Sequence, residues 1–100
     1  MPEPGQRLHS RAVYQCLRET ALGVHSLQVR ARDGHGLVEV DIDGWQLTLA
    51  VDAEGLAHCV RCQSPEGLQA DLEDWQRYGS NPTDLLSLWG RTQLEKLLAG

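Results

Sequence analysis

The chain has 100 residues, a 41% apolar fraction and a formal net charge of −5, so it is sized for one domain with its own core. That acidic balance counts against a nucleic-acid ligand or an anionic membrane surface, because each requires a basic face. The opening residues carry no secretory apolar run, and no segment reaches membrane-spanning length. Three cysteines, an odd number without disulfide spacing, point to a reducing cytoplasmic setting.

Residues 1–9 are rich in Pro, Gly and polar groups and read as a flexible lead-in, with a single domain from 10 to 100. Ser10 suits the N-cap of a helix running to Leu22. Val13, Cys16, Leu17, Thr20 and Ala21 make one helical stripe, and Gly23 suits the left-handed closing position.

A series of alternating segments follows. Leu27, Val29 and Ala31 alternate with polar residues, then the loop Asp33-Gly34-His35-Gly36 turns the chain. Val38, Val40 and Ile42 precede Asp43-Gly44, a type I′ hairpin signal, and Trp45, Leu47, Leu49 and Val51 follow it. A two-residue turn pairs Ile42 with Trp45, Val40 with Leu47 and Val38 with Leu49, so apolar meets apolar. The next turn, Asp52 to Gly55, predicts the pairs Val51–Leu56, Leu49–His58, Leu47–Val60 and Trp45–Cys62. Ser64-Pro65-Glu66-Gly67 leads to a last strand with Leu68, Ala70 and Leu72 inward. Asn81-Pro82 then opens a helix predicted to run unbroken to about Leu98, bent at Gly90, with Leu85, Leu86, Trp89, Leu94 and Leu97 as its apolar face. Thr92-x-x-Glu95 is a weaker signal for a separate short helix. The expected fold is α+β in two layers: an N-terminal helix, an antiparallel meander of four to five strands and a C-terminal helix, both helices on one sheet face.

Cys59-Val-Arg-Cys62 is the first candidate for chemistry, with His58 beside it. Residues three apart in a regular strand point to opposite faces, so Cys62 is expected inward and Cys59 outward. A bulge at Val60-Arg61 would bring them together. A metal or thiol-redox module using Cys59 and Cys62 is therefore the second reading, with His58 the remaining metal-ligand candidate, and no metal or cofactor is expected. Cys16 fits the buried stripe of the first helix, and His58 is expected inward with Leu56 and Val60. No nucleophile–base pair and no carboxylate pair stands out, which leans away from an enzyme.

Trp75, Arg77 and Tyr78 are residue types found at binding hot spots, and they cluster between the last strand and the second helix. Leu88 and Leu98 fall off that helix's main apolar face; exposed, they would suit a dimer. These five are the candidate interface residues. A third reading places a small ligand on the polar sheet face around Glu39, Asp41, Thr48 and Arg61, and it requires that face to be concave.

The strings Val13-Tyr-Gln-Cys-Leu-Arg-Glu19, Val40-Asp-Ile-Asp-Gly-Trp45 and Cys59-x-x-Cys-x-Ser-Pro-Glu-Gly67 are together distinctive. With Arg77-Tyr-Gly79, Pro82, Leu85-Leu-Ser87, Trp89 and Leu94-Glu95, they resemble a family of small uncharacterised bacterial proteins of pseudomonad type, a domain of unknown function. The resemblance spans about Arg11 to Leu98 and implies no catalytic residue. In that family the surroundings of the Cys-x-x-Cys are more acidic; His58 and Arg61 here depart from it and weaken a metal role, and Gly90 departs from a better helix former. The leading expectation is a small non-enzymatic cytoplasmic protein that binds another protein or itself, with no nucleic-acid or membrane partner.

Overall fold

The computed structural model describes residues 10–53, 55–72, 75 and 81–99. The expected lead-in, residues 1–9, lies outside the described residues. Helix α1 spans Ser10–Ala21. Strands β1 (Leu27–Arg32), β2 (Leu37–Ile42), β3 (Trp45–Asp52), β4 (Gly55–Gln63) and β5 (Gln69–Asp71) form one antiparallel sheet in chain order. A 3-10 helix, Pro82–Leu85, and helix α2, Leu88–Ala99, complete the α+β architecture.

α1 forms where apolar residues recur at helical spacing, and it buries Val13, Cys16, Leu17 and Thr20 as one stripe. The Thr20 hydroxyl is satisfied inside that stripe, donating to the Cys16 carbonyl at 2.7 Å. Gly23 ends the helix at φ 87°, with its N–H on the Thr20 carbonyl. The β2–β3 hairpin has the register that its turn dictates: Val38 faces Leu49, Val40 faces Leu47 and Ile42 faces Trp45. Asp43 and Gly44 both have positive φ, as a type I′ turn requires. At the other end of β2, Gly36 lies so close to β3 that a Cβ would stand 2.7 Å from the Val51 carbonyl oxygen.

Three irregularities depart from simple alternation. In β1 the register shifts between Val29 and Ala31, so Ala31 faces Glu39 and Arg32 faces Val38. Arg32 thereby turns toward the helices and donates to the Leu98 carbonyl in the last turn of α2. In β4 two shifts occur: Val51 pairs with Leu56 as expected, but Ala50 then pairs with His58, Leu49 with Cys59, Thr48 with Arg61 and Leu47 with Cys62. Ala57 and Val60 are the extra residues. His58 accordingly shares the outer face with Ala50, correcting the inward expectation, and Cys59 turns inward.

The second helix also differs from expectation. The backbone extends at Leu86 (ψ 144°), which separates the 3-10 helix from α2. Ser87 caps α2, its Oγ accepting from the Gly90 N–H at 3.1 Å. That break re-phases the helix. Gly90, Leu94 and Leu98 form the buried stripe, while Leu85, Trp89 and Leu97 are exposed. Thr92 caps nothing; its hydroxyl donates to the Leu88 carbonyl four residues back. The core joins α1, α2 and one face of the sheet around Leu17, Ile42, Leu47, Leu49 and Leu94. No described helix is long and apolar enough to cross a membrane.

Candidate functional site

β5 covers only Arg61 to Gln63 of β4, and among the described residues no other strand pairs with the rest of that outer edge. An open edge carries backbone groups that need partners. Side chains from residues 81–95 supply them. Asn81 closes a two-way pair with Cys59: its Oδ1 accepts from the Cys59 N–H and its Nδ2 donates to the Cys59 carbonyl, both at 3.0 Å. The same Oδ1 accepts from the Thr83 N–H at 3.2 Å, capping the 3-10 helix. The carbonyl of Ala57, freed by the bulge, lies 3.3 Å from both the Thr83 hydroxyl and the Arg91 guanidinium. Glu95 accepts from the Leu56 N–H at 2.8 Å, across a Gly55 whose φ of 116° and missing side chain leave room for the carboxylate.

The bulges place both thiols of the Cys-x-x-Cys in the core. Cys59 and Cys62 are buried on the helix-facing side, where Cys16 also lies. This overturns the expectation of one inward and one outward cysteine. Burial pushes the Cys62 thiol up to about 12, with neighbouring Cys16 adding to the effect. Burial, then Glu19, takes Cys16 to about 12, and burial raises Cys59 well above its ordinary value. The Cys59 thiol donates to the Arg61 carbonyl at 3.5 Å. All three thiols are thus withdrawn from solvent, whereas reactive cysteines sit in partly exposed surroundings. Among the described residues no group of three or more His, Cys, Asp and Glu is arranged to hold a metal ion. His58 lies on the other face from Cys59 and Cys62, so the three do not converge.

The interface candidates separate. Trp75 is 3% exposed and packs into the core, with its Nε1 buried and without a hydrogen-bond partner among the described residues. Leu98 is also buried, because the break at Leu86 rotated it inward. Leu88 is 82% exposed. Arg77 and Tyr78 lie outside the described residues. Sequence reasoning missed Leu85, Trp89 and Leu97, which it assigned to the core and which stand exposed beside Leu88 along the same segment. The signal was Ser87, whose side chain can cap a new helix just after an apolar pair.

His25 binds the end of α1 to the β2–β3 turn. Its Nδ1 lies 2.9 Å from Asp43 Oδ2 and its Nε2 lies 3.1 Å from Glu19 Oε1. Only the doubly protonated ring donates to both carboxylates. The hydrogen bonds to Asp43 and then Glu19 raise its pKa above the ordinary value.

The outer sheet face is concave. It forms a trough of about 1200 Å³ across all five strands. Bulges increase local twist and bend a strand, and β1 and β4 both carry them. One row across its floor runs Glu39, Thr48, Arg61, Asp71; a second runs Asp41, Gln46, Gln63, Gln69. Arg30 reaches Asp41 at 3.5 Å.

A family model described as a domain of unknown function (DUF7693) matches residues 7–100. No curated protein and no solved structure matches the chain.

Proposed function

The chain belongs to the DUF7693 family of unknown function, and we propose that it is a non-enzymatic interaction protein that docks through the outward face of α2. The observation that supports this is the exposure of four large apolar side chains in one short segment. Leu88 is 82% exposed, Trp89 52%, and Leu85 and Leu97 42% each. Leu88 and Trp89 are adjacent at the start of α2 and Leu85 precedes them in the 3-10 helix, whereas Leu97 lies half a turn round from Leu88; scattered single apolar residues are normal on a surface, but an exposed Trp beside leucines is a binding composition. A second copy of this chain is the simplest occupant, since an apolar helix face is self-complementary about a two-fold axis. The alternative of a metal or redox module is less favoured, because among the described residues no three His, Cys, Asp or Glu side chains are arranged to hold an ion and the thiols are buried.

Sedimentation velocity across a concentration series tests the reading. The expected result is a dimer that forms with rising concentration and is dispersed by Leu88→Glu or Trp89→Glu, each variant keeping the circular dichroism spectrum of the folded chain. A chain that stays monomeric at every concentration, with no effect of either substitution, contradicts self-association through this face.

A further inference from the structure

The trough lies on the opposite side of the sheet from α2, and its chemistry differs from that of the helix face. Its lining carries two arginines, Arg30 and Arg61, and two acids, Glu39 and Asp71, so it is balanced in charge. Arg30 is engaged with Asp41. Glu39 and Arg61 are different: among the described residues neither side-chain charge has a hydrogen bond or ion pair, and both are exposed. They sit in the same cross-strand row on either side of Thr48, one on β2 and one on β4. Two strand spacings separate their backbones by about 9–10 Å. Between them stands the Thr48 hydroxyl, and the next row along presents the amides of Gln46 and Gln63, each able to donate and accept.

We propose that this trough binds a short zwitterionic peptide, with the ligand carboxylate on Arg61, its ammonium on Glu39 and its peptide groups over Thr48 and the glutamine row. A positive and a negative charge, separated and unpaired with each other, match a ligand whose own charges are separated in the opposite sense. A tripeptide at about 3.3–3.6 Å per residue spans about 10 Å when extended, which matches the gap. Arg61 offers a planar fork for the carboxylate. The trough is open to solvent on its outer side, so a ligand would lie along its floor.

Backbone NMR titration of the whole chain tests the site, with triglycine as probe. N-acetyl-triglycine amide and maltotriose serve as comparison ligands. The expected result is saturable shifts confined to the outer faces of β2, β3 and β4. Blocking the two ends of the peptide, or introducing Glu39→Gln or Arg61→Gln, should weaken binding by about tenfold or more, because a hydrogen bond to a charged group is lost. Both residues are exposed, and an unchanged unfolding midpoint confirms that the variants fold. No shifts with triglycine, equal binding of the blocked peptide, indifference to both substitutions, or a preference for maltotriose would each overturn the proposal.

Discussion

The β2–β3 hairpin and β4 share a sheet yet obey different rules. The hairpin is specified locally: Asp43-Gly44 sets the turn, alternation sets the faces, and six consecutive residue pairs follow without a shift. β4 takes its register from its turn only as far as Leu56. Beyond that, two bulges turn the strand, and the partners that satisfy them come from Asn81, Thr83, Arg91 and Glu95, more than 20 residues away in sequence. Regular pairing is a local property, whereas an interrupted strand edge is a tertiary one.

The largest expected effect comes from breaking the β4 edge. Asn81→Ala strips both backbone groups of Cys59 of their partner and uncaps the 3-10 helix. It should cost about 3 kcal/mol, since each buried group left unsatisfied costs about 1–3 kcal/mol. Urea unfolding checks the loss, and thiol labelling under native conditions should show Cys59 becoming reactive in this variant.

The matching break in the hairpin should be smaller and simpler. Gly44→Ala forces a side chain onto φ 95°. About 1 kcal/mol of stability should be lost. Cysteine reactivity should not change, because the turn does not hold β4. A Gly44→Ala loss equal to that of Asn81→Ala would erase the distinction between the two strands.

The smallest effect sharpens the comparison at the point where the hairpin turn meets α1. The folded-state pKa of His25 is raised above its ordinary 6.5 by Asp43 and Glu19, which face it from the turn and the helix. Its stabilising contribution is therefore complete below about pH 6.5 and is lost as pH rises through the folded-state value. Chemical denaturation at pH 6 and pH 9 should show a small decline that His25→Ala and Asp43→Asn both flatten. A histidine resonance titrating at or below 6.5 would contradict the clamp.

Much of the fold was legible in the residues. The α1 stripe, the Gly23 closure, the hairpin register and the Ser64–Gly67 turn each rest on neighbours in sequence. The arrangement of β4 was not, because strict alternation has no place for residues that bulge. Leu56, Cys59 and Cys62 recur at a spacing of three, which a regular strand cannot bury on one side and two bulges can. Arg32 escaped notice for the same reason in β1. In α2 the apolar residues outnumber the buried positions, so composition alone could not choose between Leu97 and Leu98; the break before Ser87 chose. Asn81 was read as a helix cap, and it is one, but its hold on Cys59 depends on a strand edge that sequence spacing does not reveal.

Counting the thiols of the native protein with an aromatic disulfide reagent tests the placement of β4 most directly. All three cysteines are buried, so none should react in the folded chain within minutes and three should react in denaturant. One thiol reacting at once in the folded chain, mapped to Cys59, would mean that β4 runs without its bulges and that the bulged register is wrong.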